Sequence, residues 1–287
     1  MINEQTQKEK LLYSEYDLEH IDSRIDMVTR ITHGEVVVFS YGNLFGIGCR
    51  ADDPHAIGNL LAAKGESPRA IASMMEADVF YPMIDITKLE EPILSLVQNK
   101  PLYLKTNKFL HFRLPIQQKY VSILPSPIVS TEKASGTSYV QNIGPEGSRE
   151  LSDVIARLSK KHIIFAVSSF NDGAIQEPEI ISKTRSAALI TERGIVKAQY
   201  IERSHGASVK IPTQGSFTIC DHRGNIIRIG RNHPHVIELA LGIVLATDTA
   251  KPHKYGQPNW DEVTALFTDD PIHNLDILED HVFPTHT

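Results

Sequence analysis

Three short stretches carry residue types that could do chemistry at useful spacing. The first runs from 40-SYGNLFGIGC-49 through a helical segment that ends at Lys64. A strand, glycines that let backbone amides approach a ligand, and a lysine at a helix end are the parts of an anion site. The run is neither GxxxxGK[ST] nor GxGxxG, so it is not a P-loop or a dinucleotide fingerprint, and tight strand-to-helix packing accounts for it equally well. The second stretch is 167-VSSFNDG-173, directly after an apolar run. Ser168, Ser169, Asn171 and Asp172 can donate and accept around a ribose, a phosphate or a base at a strand exit. The same letters also spell an ordinary Asn-Asp-Gly turn. The third is 226-IIRIG-230, where Arg228 either pairs on the surface or, turned inward, requires an anion because it stays charged.

Other chemistries find less support. His222, His233 and His235 lie close together beside Asp221, but their spacing follows no zinc pattern, and no metal site is expected. There is no Gly-x-Ser-x-Gly elbow, and neither Cys49 nor Cys220 has a nearby histidine in a pattern that suggests covalent catalysis. Cys49 reads as a small buried hydrophobe. No side chain is assigned a catalytic role.

The elements that must position these residues follow from periodicity and capping. The chain has 287 residues, 41% of them hydrophobic and 22% charged, which excludes disorder and a coiled-coil rod. A formal charge of -6 argues against a general polyanion binder, so DNA is not expected as a partner. Two cysteines cannot build a disulfide framework, the N-terminus lacks a signal-like apolar stretch, and no run spans a bilayer; we read the chain as soluble and cytoplasmic, with no membrane partner. Residues 1–31 read as one or two short helices packed on the body, 32–248 as the main domain, and 249–287 as a His-, Pro- and Asp-rich C-terminal extension. Val36 to Phe39 predict a buried strand. Asp53-Pro54 predicts a helix start, and Lys64-Gly65 its end. Ile93 to Val97 predicts a helix, Leu102–Leu104 and Phe109–Leu114 short strands, and Ser130–Ser138 a surface loop. Leu151, Val154, Ile155 and Leu158 stand at i, i+3, i+4 and i+7, an amphipathic helix. Residues 162–167 follow as a strand, 187–190 and 195–201 as strands or a strand–helix edge, and 217–220 with 226–229 as a hairpin around DHRGN. Pro234 opens a helix with an apolar stripe of Val236, Leu239, Ala240, Ile243 and Val244. This order predicts an α/β class with a mixed sheet.

Taken together, these pieces resemble the Sua5/YrdC/YciO family, whose best-known members are threonylcarbamoyl-adenylate synthases. Phe45, Gly46, Gly48, Cys49 and Lys64 match a segment that reads aromatic, Gly-Leu-Gly-Cys/Ala, then a helix ending in Lys-x-Arg. Ser169 and Asn171 match its Ser-x-Asn pair, and Arg228-Ile229-Gly230 its Arg-Pro-Gly. The resemblance covers roughly residues 33–232. It implies a twisted mixed sheet flanked by helices, with a C-terminal extension here. It also implies a cleft holding ATP as substrate together with Mg2+, and a reaction of threonine, bicarbonate and ATP that gives threonylcarbamoyl-AMP and pyrophosphate. On that basis Lys64, Arg69, Ser169, Asn171 and Arg228 are the nucleotide-binding candidates. Tyr41, Asn43, Ser168, Gln141 and Arg113 are the candidates for the amine or amino-acid substrate, and tRNA-modification proteins are the implied partners.

The sequence also departs from the family pattern. Ser40-Tyr41-Gly42 stands where the family has Pro-Thr-Glu, and Glu66 where it has the arginine of Lys-x-Arg. The arginine of the family's Val-Arg-Val-Pro strand falls on Gln141 by order and length, with Arg113 as the rival. A non-catalytic relative that keeps the cleft for a nucleotide or RNA is therefore the alternative reading. Lys64 is the expected phosphate anchor, a residue whose removal should leave folding almost unchanged.

Overall fold

The computed structural model describes residues 13–41, 44–66, 71–145, 148–174, 180–202, 217–248, 250 and 259–282. Among the described residues eleven strands form one mixed sheet: β1 (Ser14–Asp17), β2 (Val37–Tyr41), β3 (Leu44–Arg50), β4 (Ala72–Met74), β5 (Leu110–Pro115), β6 (Val129–Thr131), β7 (Ser138–Asn142), β8 (Phe165–Ser169), β9 (Ala198–Ile201), β10 (Thr218–Asp221) and β11 (Ile226–Arg228). Their spatial order is β1-β9-β2-β3-β8-β4-β7-β5-β10-β11, with β6 also on β7. The strands near 37 and 165 thus lie in one sheet, two places apart. This is the α/β architecture with a mixed sheet that the element order predicts.

Each face of the sheet is covered by its own apolar layer. On one face the helices Ile21–Thr32 and Arg149–Lys160 press Met27, Val28, Ile31, Leu151, Val154, Ile155 and Leu158 onto Val37, Phe39, Phe165 and Val167. The other face carries a larger layer that takes in the helices Pro54–Lys64, Lys183–Arg193, Pro234–Leu241 and Pro271–Val282. Each fully buried Leu or Ile contributes about 1.5–3 kcal/mol relative to leaving it in water.

Local signals place most boundaries. Asp53 accepts from the backbone N–H of His55 and Ala56, Pro54 occupies the first turn, and Gly65 at φ 65° closes the helix. Ser148 caps Arg149–Lys160 through the Leu151 N–H at 3.1 Å. The 217–229 hairpin also forms where its turn predicts it, as β10 and β11.

Six expectations change, one of them at residues 187–190, which lie inside the helix Lys183–Arg193 and not in a strand. Residues 14–17 form an edge strand parallel to β9 and not a helix, because Tyr16 stacks on Tyr200 at 5.2 Å. Leu102–Leu104 lie in the helix Lys100–Thr106, which Asn99 caps and Pro101 opens. Part of the expected 130–138 loop is β6, paired back onto β7. The strand expected at 162–167 begins three residues later, after His162 at φ 58°. Finally, the helix from Pro234 ends at Leu241 with Gly242 as its cap, so Ile243 and Val244 lie beyond it, Val244 80% exposed, and Leu239 faces outward within it.

Gly46 and Gly48 stand inside β3 and not in an open turn. A Cβ on Gly46 would meet the Phe39 ring at 2.7 Å, and one on Gly48 the Phe165 ring at 2.4 Å. The absent side chains therefore make room for two aromatic rings lying over the sheet, while the turn at Gly42 and Asn43 lies outside the described residues.

Candidate functional site

A cleft of about 300 Å³ opens on the face that carries Phe39 and Phe165. Its floor is built by alternate residues of adjacent strands, since residues directly paired across strands share a face. Phe39, Tyr41, Leu44 and Gly46 line one end, Ala72, Met74, Gln141 and Ile143 the middle, and Phe217, Ile219 and Arg228 the far end. Ser168 and Ser169 line it where β8 ends. Five of the ten candidates named from sequence therefore meet in one cavity: Tyr41, Gln141, Ser168, Ser169 and Arg228. Asn43 and Arg69 lie outside the described residues.

Lys64 and Asn171 stand beside the cleft wall. The Lys64 ammonium is 1% exposed, so it is not a solvated helix end. It donates to the Ser169 carbonyl oxygen and, at 2.7 Å, to Asn171 Oδ1, which also accepts from Ser169 Oγ at 3.1 Å. Glu66 Oε1 lies 3.4 Å from the same ammonium. The four positions aligned with Lys-x-Arg and Ser-x-Asn thus converge, although they lie about a hundred residues apart in the chain. The Lys64 carbonyl accepts from the Gly173 N–H at 2.7 Å, and Asp172 pairs with Arg193 at 2.6 Å. The Lys64 side chain thus ties its helix to Ser169 and Asn171, and its backbone carbonyl ties it to Gly173.

Gln141 and Arg113 are directly paired across β7 and β5, so both occupy one face. Gln141 lines the cleft. Arg113 donates to Ser130 Oγ at 3.1 Å and lies over the Tyr139 ring at 5.1 Å, away from the lining.

The far end holds polar groups that local sequence does not mark. Arg231 is 3% exposed, with its guanidinium 3.9 Å from the centre of the Phe217 ring. Burial lowers its pKa to about 10, against the opposing pull of Tyr41 and Glu202. Glu202 is buried and accepts from Ser148 Oγ, while its N–H donates to Ser40 Oγ at 2.6 Å. Tyr41 donates its hydroxyl to the Gly144 carbonyl and packs on Phe217 at 5.0 Å. His111, on β5, is fully buried against the other side chains of this corner and stacks on Phe217 at 4.1 Å. His111, flanked by apolar residues in β5, is the one of these groups with a local sequence signal, and that signal does not say which way it points.

The histidines weighed as metal ligands serve other ends. His222 packs tilted against the Tyr139 ring, His233 caps the helix at Pro234, and His235 faces Glu238 at 3.8 Å. Among the described residues, no three His, Cys, Asp or Glu side chains are grouped to hold a metal. Cys49 is buried, and burial pushes its thiol up to about 12.

Solved structures share this arrangement of strands and helices. P. abyssi Sua5 in complex with L-threonine aligns at a TM-score of 0.55, with 18% identity over 85% of this chain and 67% of that one. A doubly substituted P. abyssi Sua5 aligns at 0.56, with 18% identity over 82% of this chain and 65% of that one. The chain adopts a Sua5/YrdC/YciO-like fold. A hypothetical protein of Streptococcus mutans UA159 has the Sua5-like fold too, at a TM-score of 0.51 and 13% identity over 85% of this chain and 98% of that one. The chain spans about two thirds of the length of the two Sua5 chains. No protein-family model and no curated protein matches the sequence. Among the described residues of this Sua5-like chain, no helix is long and apolar enough to cross a membrane.

Proposed function

We propose that the cleft binds ATP and a small amine or amino acid, and that the protein joins them through bicarbonate into a carbamoyl adenylate. With threonine the product is threonylcarbamoyl-AMP. In this reaction the amine nitrogen adds to bicarbonate with loss of water to give a carbamate, a carbamate oxygen attacks the α-phosphorus, the bond to the β-phosphate oxygen breaks, and pyrophosphate leaves. The observation that carries the reading is the convergence of Lys64, Ser169 and Asn171 beside a cleft that also holds Arg228. Hydrogen-bond donors fixed in a dry cleft stabilise charge that develops on phosphate oxygens, and water exclusion protects a labile adenylate. In this reading Lys64, Ser169, Asn171, Arg228 and Arg69 serve the nucleotide, while Tyr41, Asn43, Ser168 and Gln141 serve the amine. Gln141 is preferred to Arg113 because it lines the cleft. Glu66 and Asp172 are engaged with Lys64 and Arg193, so magnesium would be held mainly by the phosphates. A tRNA-modifying partner is the natural recipient of such an adenylate.

The Lys64–Glu66 ion pair favours a second reading, a relative that binds nucleotide without turning it over. One assay separates the two: pyrophosphate release from ATP and bicarbonate with each amino acid in turn, alongside equilibrium binding of ATP and of tRNA. Release with threonine or another amino acid supports the synthase. Binding of ATP or tRNA without release supports the second reading, and an absence of both overturns the two together.

A further inference from the structure

His111 is the buried polar group of this cleft that the reading above leaves without a task. Its imidazole is 1% exposed, and neither Nδ1 nor Nε2 has a hydrogen-bond partner. Buried polar atoms are nearly always paired, and an unpaired one in a native protein is a candidate for a group that meets its partner only with ligand bound. The register gives the direction of the side chain. His111 pairs with Ile219 on β10, and Ile219 pairs with Arg228 on β11, so the three share one face. Ile219 and Arg228 line the cleft, and so does Phe217, whose ring stacks on the imidazole. Phe217 thus stands between His111 and the cavity.

The surroundings specify the missing partner. Arg231 sits on the Phe217 ring, and Arg228 donates to the Phe217 carbonyl at 3.2 Å, so two guanidinium groups border this corner. Burial, with the charges of Arg231 and then Arg228, holds His111 well below the ordinary imidazole range, leaving it neutral with one N–H to donate. A third cation would be repelled there, and an apolar group would leave the ring nitrogens unpaired. An oxyanion accepts from the imidazole N–H and is drawn to the two guanidinium groups, with Glu202 offsetting part of that pull at Arg231.

We propose that His111 is a ligand-binding residue of the cleft, which with Arg228 receives an oxyanion of the bound ligand, carboxylate or phosphate, when the Phe217 ring turns aside about its Cα–Cβ bond. The proposal rests on the reading of the cleft as an ATP and amino-acid site, and it adds a residue that the resemblance does not supply.

The test uses the full chain and isothermal titration calorimetry, with L-threonine and ATP titrated separately into the wild type, His111→Phe and His111→Gln. His111→Phe keeps a ring for Phe217 to stack on and removes the unpaired nitrogens. It should weaken binding by about tenfold or more in the arm that carries the oxyanion, while its Tm stays within about 2 °C of the wild type or rises. His111→Gln restores a donor and should recover part of the loss. A loss confined to threonine assigns the carboxylate, and one confined to ATP assigns the phosphate. Affinities unchanged within about twofold in both arms overturn the role of His111 while the reading of the cleft stands. A fall in Tm together with lost binding also overturns it, because the residue is then structural. If the wild type binds neither ligand, both inferences fall.

Discussion

The two ends of the cleft handle buried positive charge in opposite ways. At the β8 end, Lys64 is surrounded by oxygen: a carbonyl, an amide oxygen and a carboxylate within 3.4 Å. At the β10–β11 end, Arg231 lies against an aromatic face, and burial lowers its pKa to about 10. An ammonium is a compact, strongly hydrated charge that must replace its water with oxygens when buried. A guanidinium is weakly hydrated, planar and able to stack. The first end is thus a clamp of oxygen atoms, and the second seats its guanidinium on an aromatic ring, with Glu202 and Tyr41 acting on its charge. The contrast teaches that one cleft buries its two cations by different chemistry, each suited to the cation's hydration.

The largest expected effect is at the clamp. Lys64→Ala leaves the Glu66 carboxylate and the Asn171 amide oxygen without their cation. The loss should be about 3 kcal/mol, at the low end for a broken buried pair because Glu66 is 19% exposed. Urea denaturation checks it, and the double variant with Glu66→Gln should recover part of the loss. If Lys64→Ala unfolds at the wild-type urea concentration, the clamp is not a clamp.

The next effect is a pH dependence at the other end. His111 folds as a neutral imidazole and is free to protonate when unfolded, so the unfolded state binds more protons at acid pH. Stability should therefore fall as pH drops below about 6.5, by up to about 1.4 kcal/mol per pH unit for this one group. His222, also lowered by burial, adds to the slope in the same direction. The part belonging to His111 is the difference from His111→Phe, and parallel profiles for the two proteins would contradict its neutral burial.

Behind the same end, Ser148 does two jobs, capping its helix and donating to Glu202. Ser148→Ala should lower stability by about 1–2 kcal/mol, read by thermal unfolding, and a loss below about 0.5 kcal/mol would show that water replaces both bonds.

The smallest effect sharpens the contrast directly. Glu66→Gln keeps the shape of the side chain and removes the charge that matches Lys64. ATP affinity should rise by about threefold to fivefold, measured by calorimetry. An unchanged affinity would place the nucleotide's phosphates away from Lys64.

Much of the framework was legible in the sequence because its signals are local. Asp53-Pro54, Lys64-Gly65 and the 3.6-residue stripe at 151–158 act within one or two turns, and the strand-and-hairpin pattern around 221–225 depends on a few neighbours. The errors occur where a local preference is overridden. Tyr16 forms an edge strand because Tyr200 offers it a stacking surface 184 residues away, and Leu102–Leu104 continue a helix that Asn99 and Pro101 start. Ser169, Asn171 and Lys64 could be picked out by type and spacing, and their meeting agrees with the family pattern they resemble.

What the sequence by itself determined was therefore the order of elements, their caps and the identity of the polar residues at strand ends. Only the tertiary structure decided what those residues face. It turned Lys64 inward onto Asn171 and Glu66, set Gln141 in the cleft with Arg113 turned aside, and placed Arg231 and His111 around Phe217. The reason is physical: burial and electrostatic partnership are properties of surfaces brought together from distant parts of the chain. A side chain's own letter and its near neighbours carry its chemistry, whereas the charge it meets is set by the register of strands far away in sequence.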